Sequence, residues 1–163
     1  MSQPVEGSEL RRVAGHFPTG VSVVTATAAD GRPCGLTVNS FTSVSLEPPL
    51  VLVCISTAAR AHVCIEARRA FGVNVLSEGQ EAIARAFAST VEDKFGQLEH
   101  HPSPAGHPLF AGIHAWLDCE VVEHGHGGVT HTIFIARVTG LGVGSGRPLV
   151  FHAGRYTKLA TER

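Results

Sequence analysis

Residues 34–49, CGLTVNSFTSVSLEPP, combine a strand pattern with a run of small polar side chains. Apolar and polar residues alternate over 36–39, which predicts a β-strand. Hydroxyl side chains then surround Phe41 until Pro48-Pro49 ends the pattern. Backbone amides, hydroxyls and one side-chain amide, with no charge among them, suit a neutral, planar, hydrogen-bonding ligand. The alternative is an ordinary strand with a polar face towards solvent, where Ser and Thr are common.

The neighbouring segments also have strand patterns. Residues 21–27 are rich in Val and Thr, and the turn pair Asp30-Gly31 tolerates positive φ. We therefore expect a hairpin that pairs residues 21–27 with residues 34–45. Residues 50–55 form a continuous apolar run, which predicts a buried strand.

Short helices interrupt the strands. A tail at residues 1–7 is expected to be flexible, and Ser8 then caps a helix with one apolar face, formed by Leu10, Val13, Ala14 and Phe17. A second helix is predicted over 57–68, with Ala61, Val63, Cys64 and Ile65 in apolar contacts. Ser77 and Gln80 have capping-box spacing for a third helix.

The remaining segments predict more strands, at residues 71–76, 115–123, 130–140, 149–151 and 156–159. Residues 96–108 are rich in turn formers and predict a loop, a candidate lid over a site. Residues 124–129 predict a flexible hairpin connection. The chain is therefore expected to be a single mainly β domain over 1–163, an antiparallel β-barrel with short helices.

Composition narrows the function classes. The chain has 163 residues, 44% of them hydrophobic and 17% charged, which indicates a folded domain with a real core. The formal net charge is −1, and no block of Lys and Arg indicates nucleic acid or an anionic membrane as partner. The polar N-terminus and the lack of a long apolar run predict a cytoplasmic protein.

Cysteine and histidine patterns do not indicate a metal site. Cys34, Cys54, Cys64 and Cys119 form no CxxC pair, and we expect them to be reduced core residues. The ten histidines include no HExxH motif and no zinc-finger spacing, so no metal is expected. The Gly-rich segment at 142–148 lacks the GxGxxG order of a dinucleotide-binding turn.

Six separated motifs resemble, in order and spacing, the flavin reductase-like, FMN-binding split-barrel family. They are HFPTGVSVVTA at 16–26, GLTVNSFTSVSLEPPLVLVCIS at 35–56, FGVNVL at 71–76, DKF at 93–95, HTIFIARV at 131–138 and GRYTKL at 154–159. The resemblance implies an FMN-binding split barrel, a Greek-key-like antiparallel barrel that is typically a homodimer. Family members include the small NAD(P)H:flavin oxidoreductase partners of two-component monooxygenases.

The resemblance also implies where flavin binds. Because the family holds flavin along the strand after Gly35, it indicates the ring contacts, Thr37, Val38, Asn39, Ser40, Phe41 and Ser43. The contacts expected for the phosphate-bearing tail are Ser56, Arg60, His62 and Lys94. The neighbouring residues Cys54, Ile55 and Phe95 are also expected to bind the cofactor. Phe41 packs on the ring or fills the core, and for Arg60 and Lys94 a solvated surface charge is the alternative.

His131 is the candidate catalytic residue, which would hold the nicotinamide next to the flavin. The family usually has Gly-Asp-His at this point, whereas this chain has Val129-Thr130-His131. The histidine matches the family pattern, but the aspartate before it is absent. A different group must therefore orient the imidazole ring. A surface histidine at a strand edge is the alternative. Arg155 and Tyr156 occupy a family-like position and are expected to line the pocket or bind the pyridine nucleotide.

The resemblance implies an NAD(P)H-dependent flavin reductase that transfers hydride from NADH or NADPH to FMN or FAD. Reduced flavin would then reach a partner monooxygenase by diffusion. One alternative is a flavin-binding carrier or sensor without reductase activity, which the altered Val129-Thr130 context favours. Another is that flavin bound to this chain performs oxygen chemistry on an organic substrate.

Overall fold

A computed structural model describes residues 4–96 and 98–160. Its strands, in chain order, are β1 (Thr19–Gly20), β2 (Ser22–Thr27), β3 (Pro33–Val38), β4 (Thr42–Leu46), β5 (Pro49–Ser56), β6 (Ala70–Val75), β7 (His100–Pro102), β8 (Pro108–Phe110), β9 (Ala115–Gly127), β10 (His131–Val143), β11 (Leu149–His152) and β12 (Arg155–Lys158). Its helices are α1 (Gly7–Ala14), α2 (Arg60–Arg68) and α3 (Glu81–Ala88), and a 3-10 turn at Glu78–Gln80 leads into α3.

Seven strands form one antiparallel sheet in the order β3-β2-β6-β9-β10-β5-β4. The sheet curls so that β3 also contacts β5. Ser40 joins the two strands, because its hydroxyl donates to the Cys54 carbonyl at 3.1 Å and accepts from the Cys54 amide at 3.0 Å. The predicted antiparallel barrel is thus present, with a side chain bridging β3 and β5.

Two apolar clusters form the core. The first fills the barrel and includes Val24, Val53, Phe71 and Phe134, and α2 adds Ile65 to it. The second includes Leu76, Phe110 and Leu149, and α3 adds Phe87. Both helices contact β3, so this strand lies between them.

Residues 34–45, which were predicted as a single strand, form two strands in the structure. They form β3, which pairs with β2, and β4, which pairs with β5. Residues 39–41 carry the chain from one side of the barrel to the other. The pattern looked continuous because both strands alternate with period two. The predicted turn at Asp30-Gly31 is confirmed, and Gly31 has φ of 85°.

The helix predictions are mostly confirmed, with three corrections. Ser8 lies inside α1, which begins at Gly7 after the N-cap residue Glu6, and Phe17 lies beyond its end. Met1–Gln3, part of the predicted tail, lie outside the described residues. Val63 was expected in apolar contacts but is 66% exposed, because it lies on the outer face of α2. The capping box is present: Gln80 Oε1 accepts from the Ser77 amide at 3.0 Å.

The loop predicted over 96–108 is interrupted by short strands at residues 100–102 and 108, and no described residue of this segment lines the cavity described below. Strands β7 and β8 form a hairpin that packs onto the sheet. The Pro108 carbonyl accepts from the Thr25 hydroxyl at 2.8 Å and the Asn74 side-chain amide at 3.1 Å. Buried polar groups on β2 and β6 need such partners, and no local pattern in the hairpin reveals them.

The connection predicted over 124–129 is shorter than expected. Strand β9 continues to Gly127 and pairs with His131 at the start of β10. The turn is therefore confined to residues 128–130, with Gly128 at φ of 72°. Glycines at 125 and 127 suggested a loop, but the long two-stranded ladder includes both.

The prediction that all four cysteines are reduced is wrong for two of them. Cys34 of β3 and Cys64 of α2 form a disulfide, with their Cα atoms 6.7 Å apart. Cys54 and Cys119 are free thiols. Thirty residues separate the bonded pair in sequence, and only the packing of α2 across β3 brings them together.

Within residues 4–96 and 98–160, no helix combines the length and the apolar character that crossing a membrane requires.

Candidate functional site

A cavity of about 400 Å³ opens between β3, the start of α2 and the segment that follows α3. One wall is residues 33–36 of β3. The second wall is the end of β5 and the first turn of α2, residues 56 and 58–60. The third is residues 88–92 and 94–95. The site therefore lies where two helices flank one strand of the barrel.

The start of α2 gives this cavity a positive end. Ala59 is the N-cap residue of α2, and no side chain caps the first turn. Backbone N–H groups at a helix N-terminus attract anions, above all phosphate. The Ser56 hydroxyl, which accepts from the Ala58 amide at 3.3 Å, adds a polar group beside this turn.

Two cations line the same cavity. Arg60 is exposed, whereas Lys94 is half-buried and donates from Nζ to the Phe87 carbonyl at 3.2 Å. Burial, and then the charge of Arg60, lower the pKa of Lys94. Two cations and an uncapped helix start form a site for an anionic group that carries more than one charge.

Of the predicted flavin contacts, the structure places four on this cavity: Ser56, Arg60, Lys94 and Phe95. Phe95 is nearly buried and packs edge-on against Phe87, with ring centroids 4.9 Å apart. It therefore connects the cavity wall to the second core cluster.

The polar side chains of the predicted ring-binding strand take part in the fold. The Thr37 hydroxyl donates to the Ala84 carbonyl at 2.7 Å, and Ser40 bonds both backbone groups of Cys54. Val38 and Ile55 are buried core residues, and Phe41 packs against the first cluster. Burial raises the pKa of the Cys54 thiol. Asn39 and Ser43 are exposed beyond the cavity.

His62 faces away from the cavity. Its Nε2 lies 2.8 Å from the Thr132 hydroxyl of β10, and its ring lies 5.7 Å from that of Phe134. The Glu66 carboxylate is 4.0 Å from the same nitrogen. His62 thus connects α2 to β10, and Arg60, one half-turn earlier, is the residue of this helix that reaches the cavity.

His131 lies beside the cavity wall. It is exposed at the first position of β10, where it pairs in register with Ser56 of β5. Its Nδ1 is 2.9 Å from the Thr130 hydroxyl. The Thr130 carbonyl in turn accepts from the Thr57 amide at 2.9 Å. Thr130 therefore orients the imidazole at the position where the family usually has Asp.

Arg155 and Tyr156 lie in a separate small sheet, formed by β1, β11 and β12. The Tyr156 ring packs 5.3 Å from that of Phe151, and the Arg85 guanidinium lies 5.0 Å from its centroid. Burial raises the pKa of Tyr156. Arg155 is exposed, and neither residue lines the cavity.

Sequence reasoning missed the wall at 33–36 and the wall at 88–92. Gly35 carried a signal, because a glycine inside a strand often marks a close approach. A Cβ at Gly35 would lie 2.6 Å from the Phe87 ring and 3.3 Å from the Phe95 ring. Residues 88–92 carried no pattern, since they are positioned only by the end of α3.

In the described part of the chain, no group of three or more His, Cys, Asp and Glu residues could hold a metal ion. The cavity is lined by backbone amides, hydroxyls, two cations and one carboxylate residue, the exposed Glu92. Its donors fit the phosphate group of a nucleotide-like cofactor rather than a metal.

The chain is similar to several proteins that are named as reductase components or reductase subunits. The reductase component of 4-nitrophenol 4-monooxygenase/4-nitrocatechol 2-monooxygenase from Rhodococcus opacus is 42% identical, over 94% of this chain and 82% of that protein. The stachydrine N-demethylase reductase subunit Stc3 of Rhizobium meliloti is 44% identical over 80% of this chain, but the match spans only 56% of that longer protein.

A solved structure of a flavin reductase has the same fold as this chain. The NADH:FAD oxidoreductase SgcE6 of Streptomyces globisporus, in complex with NAD and FAD fragments, superposes with a TM-score of 0.88. The two chains are 40% identical, over 98% of each. The model of the flavin reductase like domain matches residues 14–160. The predicted fold is thus confirmed, and the chain belongs to the flavin reductase-like family.

Proposed function

We propose that this protein is an NAD(P)H-dependent flavin reductase that transfers hydride to FMN or FAD and supplies the reduced flavin to a partner monooxygenase. The observation that carries the proposal is the positive end of the cavity, where Arg60, Lys94 and the first turn of α2 converge. A phosphate-bearing cofactor needs such donors. The relatives that share this fold are named as flavin reductases and as reductase components of monooxygenases.

Different residues of the chain would bind different parts of the flavin. Arg60, Lys94, Ser56 and the α2 amides would bind the phosphate of the flavin tail. Backbone groups along β3 and residues 39–43 would hold the ring, since most side chains there are used by the fold or exposed. When bound, the flavin supplies the hydride-accepting chemistry, and the protein supplies position and electrostatics.

His131 would orient the nicotinamide. Its Nδ1 lies 2.9 Å from the Thr130 hydroxyl, and His131 pairs across the strands with Ser56 on the cavity wall. It need not act as an acid or a base, because a hydride passes directly between the two cofactors. Arg155 and Tyr156 lie in the small sheet, away from the cavity. For them to bind the pyridine nucleotide, the cofactor would have to contact this sheet as well as the cavity.

Oxidation of NADH and of NADPH by the purified protein, followed by absorbance with FMN, FAD or no flavin, tests the proposal. We expect flavin-dependent turnover that collapses in His131→Ala. His101→Ala, which removes another exposed histidine on β7, is the matched control and should keep full activity. No turnover with any cofactor pair would contradict the proposal.

A flavin carrier or sensor is the second candidate. It is favoured by the exposure of His131 and by the Thr130 hydroxyl in the place of a carboxylate. Flavin that stays bound through gel filtration, in a protein that oxidises neither NADH nor NADPH, would establish this reading over the first.

We also propose a cytoplasmic homodimer that releases reduced flavin by diffusion. The apolar residues of α1 and the segment after it support dimer formation, because Leu10, Val13 and Phe17 are 61%, 54% and 75% exposed. Diffusion is tested by separating the reductase from a flavin-dependent monooxygenase with a dialysis membrane. Product formation across the membrane supports free transfer, and its absence indicates contact between the two proteins.

A further inference from the structure

The Cys34–Cys64 disulfide joins two walls of the cavity. Cys34 is part of the β3 wall, and Cys64 lies on α2 four residues after Arg60, which is part of the helix wall. Between these walls lies the positive end that we assign to the flavin phosphate. The covalent bond therefore fixes the distance between β3 and α2 at the site itself.

The two sulfur atoms differ in accessibility. Cys64 is only 7% exposed and packs in the first core cluster. Cys34 is partly exposed, and it is one of the residues that line the cavity. A small thiol therefore reaches the disulfide through the cavity, at the Cys34 sulfur. A ligand that fills the cavity blocks this approach.

Breaking the bond removes the covalent constraint between the β3 wall and the α2 wall. Bonded sulfur atoms are about 2.05 Å apart. Atoms that are not bonded need roughly 3.5–4 Å. Both side chains are packed among core residues, so the extra space comes from a shift of α2 relative to β3 or from new side-chain rotamers. A displacement of about 1 Å is enough to weaken a positioned contact strongly.

We propose that Cys34–Cys64 is a thiol–disulfide exchange site that couples flavin binding to the redox state of the protein. The inference rests on the proposed function, because it takes flavin as the ligand of the cavity. The disulfide form holds the walls in the flavin-binding arrangement. The dithiol form binds flavin more weakly.

The reaction needs a dithiol as reductant. One thiolate of the reductant attacks the Cys34 sulfur and forms a mixed disulfide, and Cys64 leaves as a thiolate that takes up a proton. The second thiol of the reductant then attacks its own sulfur in the mixed disulfide and releases Cys34. Two electrons and two protons pass to the protein, and the reductant leaves as its own disulfide.

Thermodynamic linkage makes the effect reciprocal. If reduction raises the flavin Kd by some factor, bound flavin must make the disulfide harder to reduce by the same factor. Coupling between two sites in one protein typically gives a factor of 5 or more. We therefore expect reduction to raise the Kd for FMN or FAD at least about 5-fold.

The experiment uses the whole protein and dithiothreitol. Alkylation under denaturing conditions, followed by mass spectrometry, counts the free thiols. Two are expected in the isolated protein, Cys54 and Cys119, and all four cysteines after reduction. Flavin Kd is measured by fluorescence in both forms, anaerobically, after the dithiothreitol has been removed. The rate of disulfide reduction is measured with and without saturating flavin, which should slow it.

Variants separate this pair from the other thiols. Cys119→Ala keeps the disulfide and should respond to dithiothreitol like the wild type. The double variant Cys34→Ser/Cys64→Ser should bind flavin with the weaker affinity of the reduced protein and should not respond. The wild-type comparison of oxidised and reduced forms stands without the double variant if that variant does not fold.

Three results would overturn the inference: four free thiols in the protein isolated without reductant, an unchanged flavin Kd after full reduction, or equal reduction rates with and without flavin. If the oxidised protein binds neither FMN nor FAD, the proposed function itself fails, and this inference fails with it. Flavin affinity that is the same in both thiol states removes only the inference.

Discussion

Lys94 is held in place by the fold before any ligand binds. Its ammonium group donates to a neutral carbonyl, that of Phe87, and lies 6.0 Å from the centre of the Phe87 ring. Burial and the nearby Arg60 lower its pKa, so the charged form is less stable here than in water. An anionic group in the cavity would stabilise the charged form of Lys94. Lys94 is therefore the single side chain on which flavin affinity should depend most.

Lys94→Met should weaken flavin binding about 10- to 150-fold, because a hydrogen bond to a charged group contributes roughly 1.5–3 kcal/mol. Lys158→Met removes the same charge from the exposed strand β12 and is the matched control. Fluorescence titration with FMN and FAD measures both. Equal affinities for Lys94→Met and the wild type would place the phosphate elsewhere.

A second residue, Cys119, is expected to contribute to the dependence of stability on pH. Burial, and then the charge of Asp118, raise the pKa of the Cys119 thiol from 9.0 to about 12. Between these two values the folded protein keeps a proton that the unfolded chain has lost. Stability contributed by this group is therefore complete below pH 9 and decreases as the pH rises towards 12.

The free energy of unfolding of the wild type should fall by about 1 kcal/mol for each pH unit above roughly pH 9, because one pKa unit corresponds to about 1.36 kcal/mol. Cys119→Ala should show a shallower decrease. Urea unfolding at several pH values measures both slopes. Identical slopes would show that this thiol does not control the alkaline limit of stability.

At the scale of elements, the main feature is the bridge between β3 and β5. These strands approach each other without a regular hydrogen-bonded ladder. The Ser40 hydroxyl instead forms hydrogen bonds with both the carbonyl and the amide of Cys54. The serine predicted as a flavin donor is thus a residue that sets the position of the strand.

Ser40→Ala should lower the free energy of unfolding by about 1–2 kcal/mol, because two backbone groups of Cys54 lose their partner. It should also raise the flavin Kd through the displaced strand. Ser40→Thr keeps the hydroxyl and should recover most of both losses.

Ser43→Ala is the control for the stability effect of Ser40→Ala only, since this exposed serine on β4 should cost less than about 0.5 kcal/mol. Urea unfolding and flavin titration together test the assignment. A Ser40→Ala protein with wild-type stability and weak flavin binding would instead make Ser40 a direct flavin contact.

At the scale of the whole molecule, α1 has no buried residue in the single chain. Its neighbour Gly15 connects to the small sheet, because the Ala153 amide donates to the Gly15 carbonyl at 2.7 Å. The helix is therefore positioned by its end, while its apolar residues face outwards. A helix with one apolar face normally buries that face against another surface.

Leu10→Glu together with Phe17→Glu should convert the proposed dimer to a monomer, because charges would then be buried in the contact between subunits. Light scattering coupled to size-exclusion chromatography measures the mass. Arg12→Gln, on the polar side of the helix, should leave the dimer intact. A wild-type mass equal to that of one chain would contradict the proposed assembly.

The local sequence determined most of the elements, although it did not predict β7 and β8 and it predicted β3 and β4 as one strand. The local signals were the alternating apolar residues, the Asp30-Gly31 turn and the Ser77–Gln80 capping box. Each of them involves residues that are close together in the chain, so a short segment of sequence is enough to predict the structure. The ordered set of motifs also determined the family. The start of α2 and Lys94 could be recognised as phosphate candidates because each follows a local signal.

Tertiary structure alone decided which candidates share a space. Ser56, Arg60, Lys94 and Phe95 line one cavity, whereas His62, two residues after Arg60, faces β10. It also decided that Cys34 meets Cys64, and that the hydroxyls of Thr37 and Ser40 serve the backbone. These outcomes depend on how α2 and α3 pack across β3. That packing joins residues tens of positions apart, and no short window of sequence contains it.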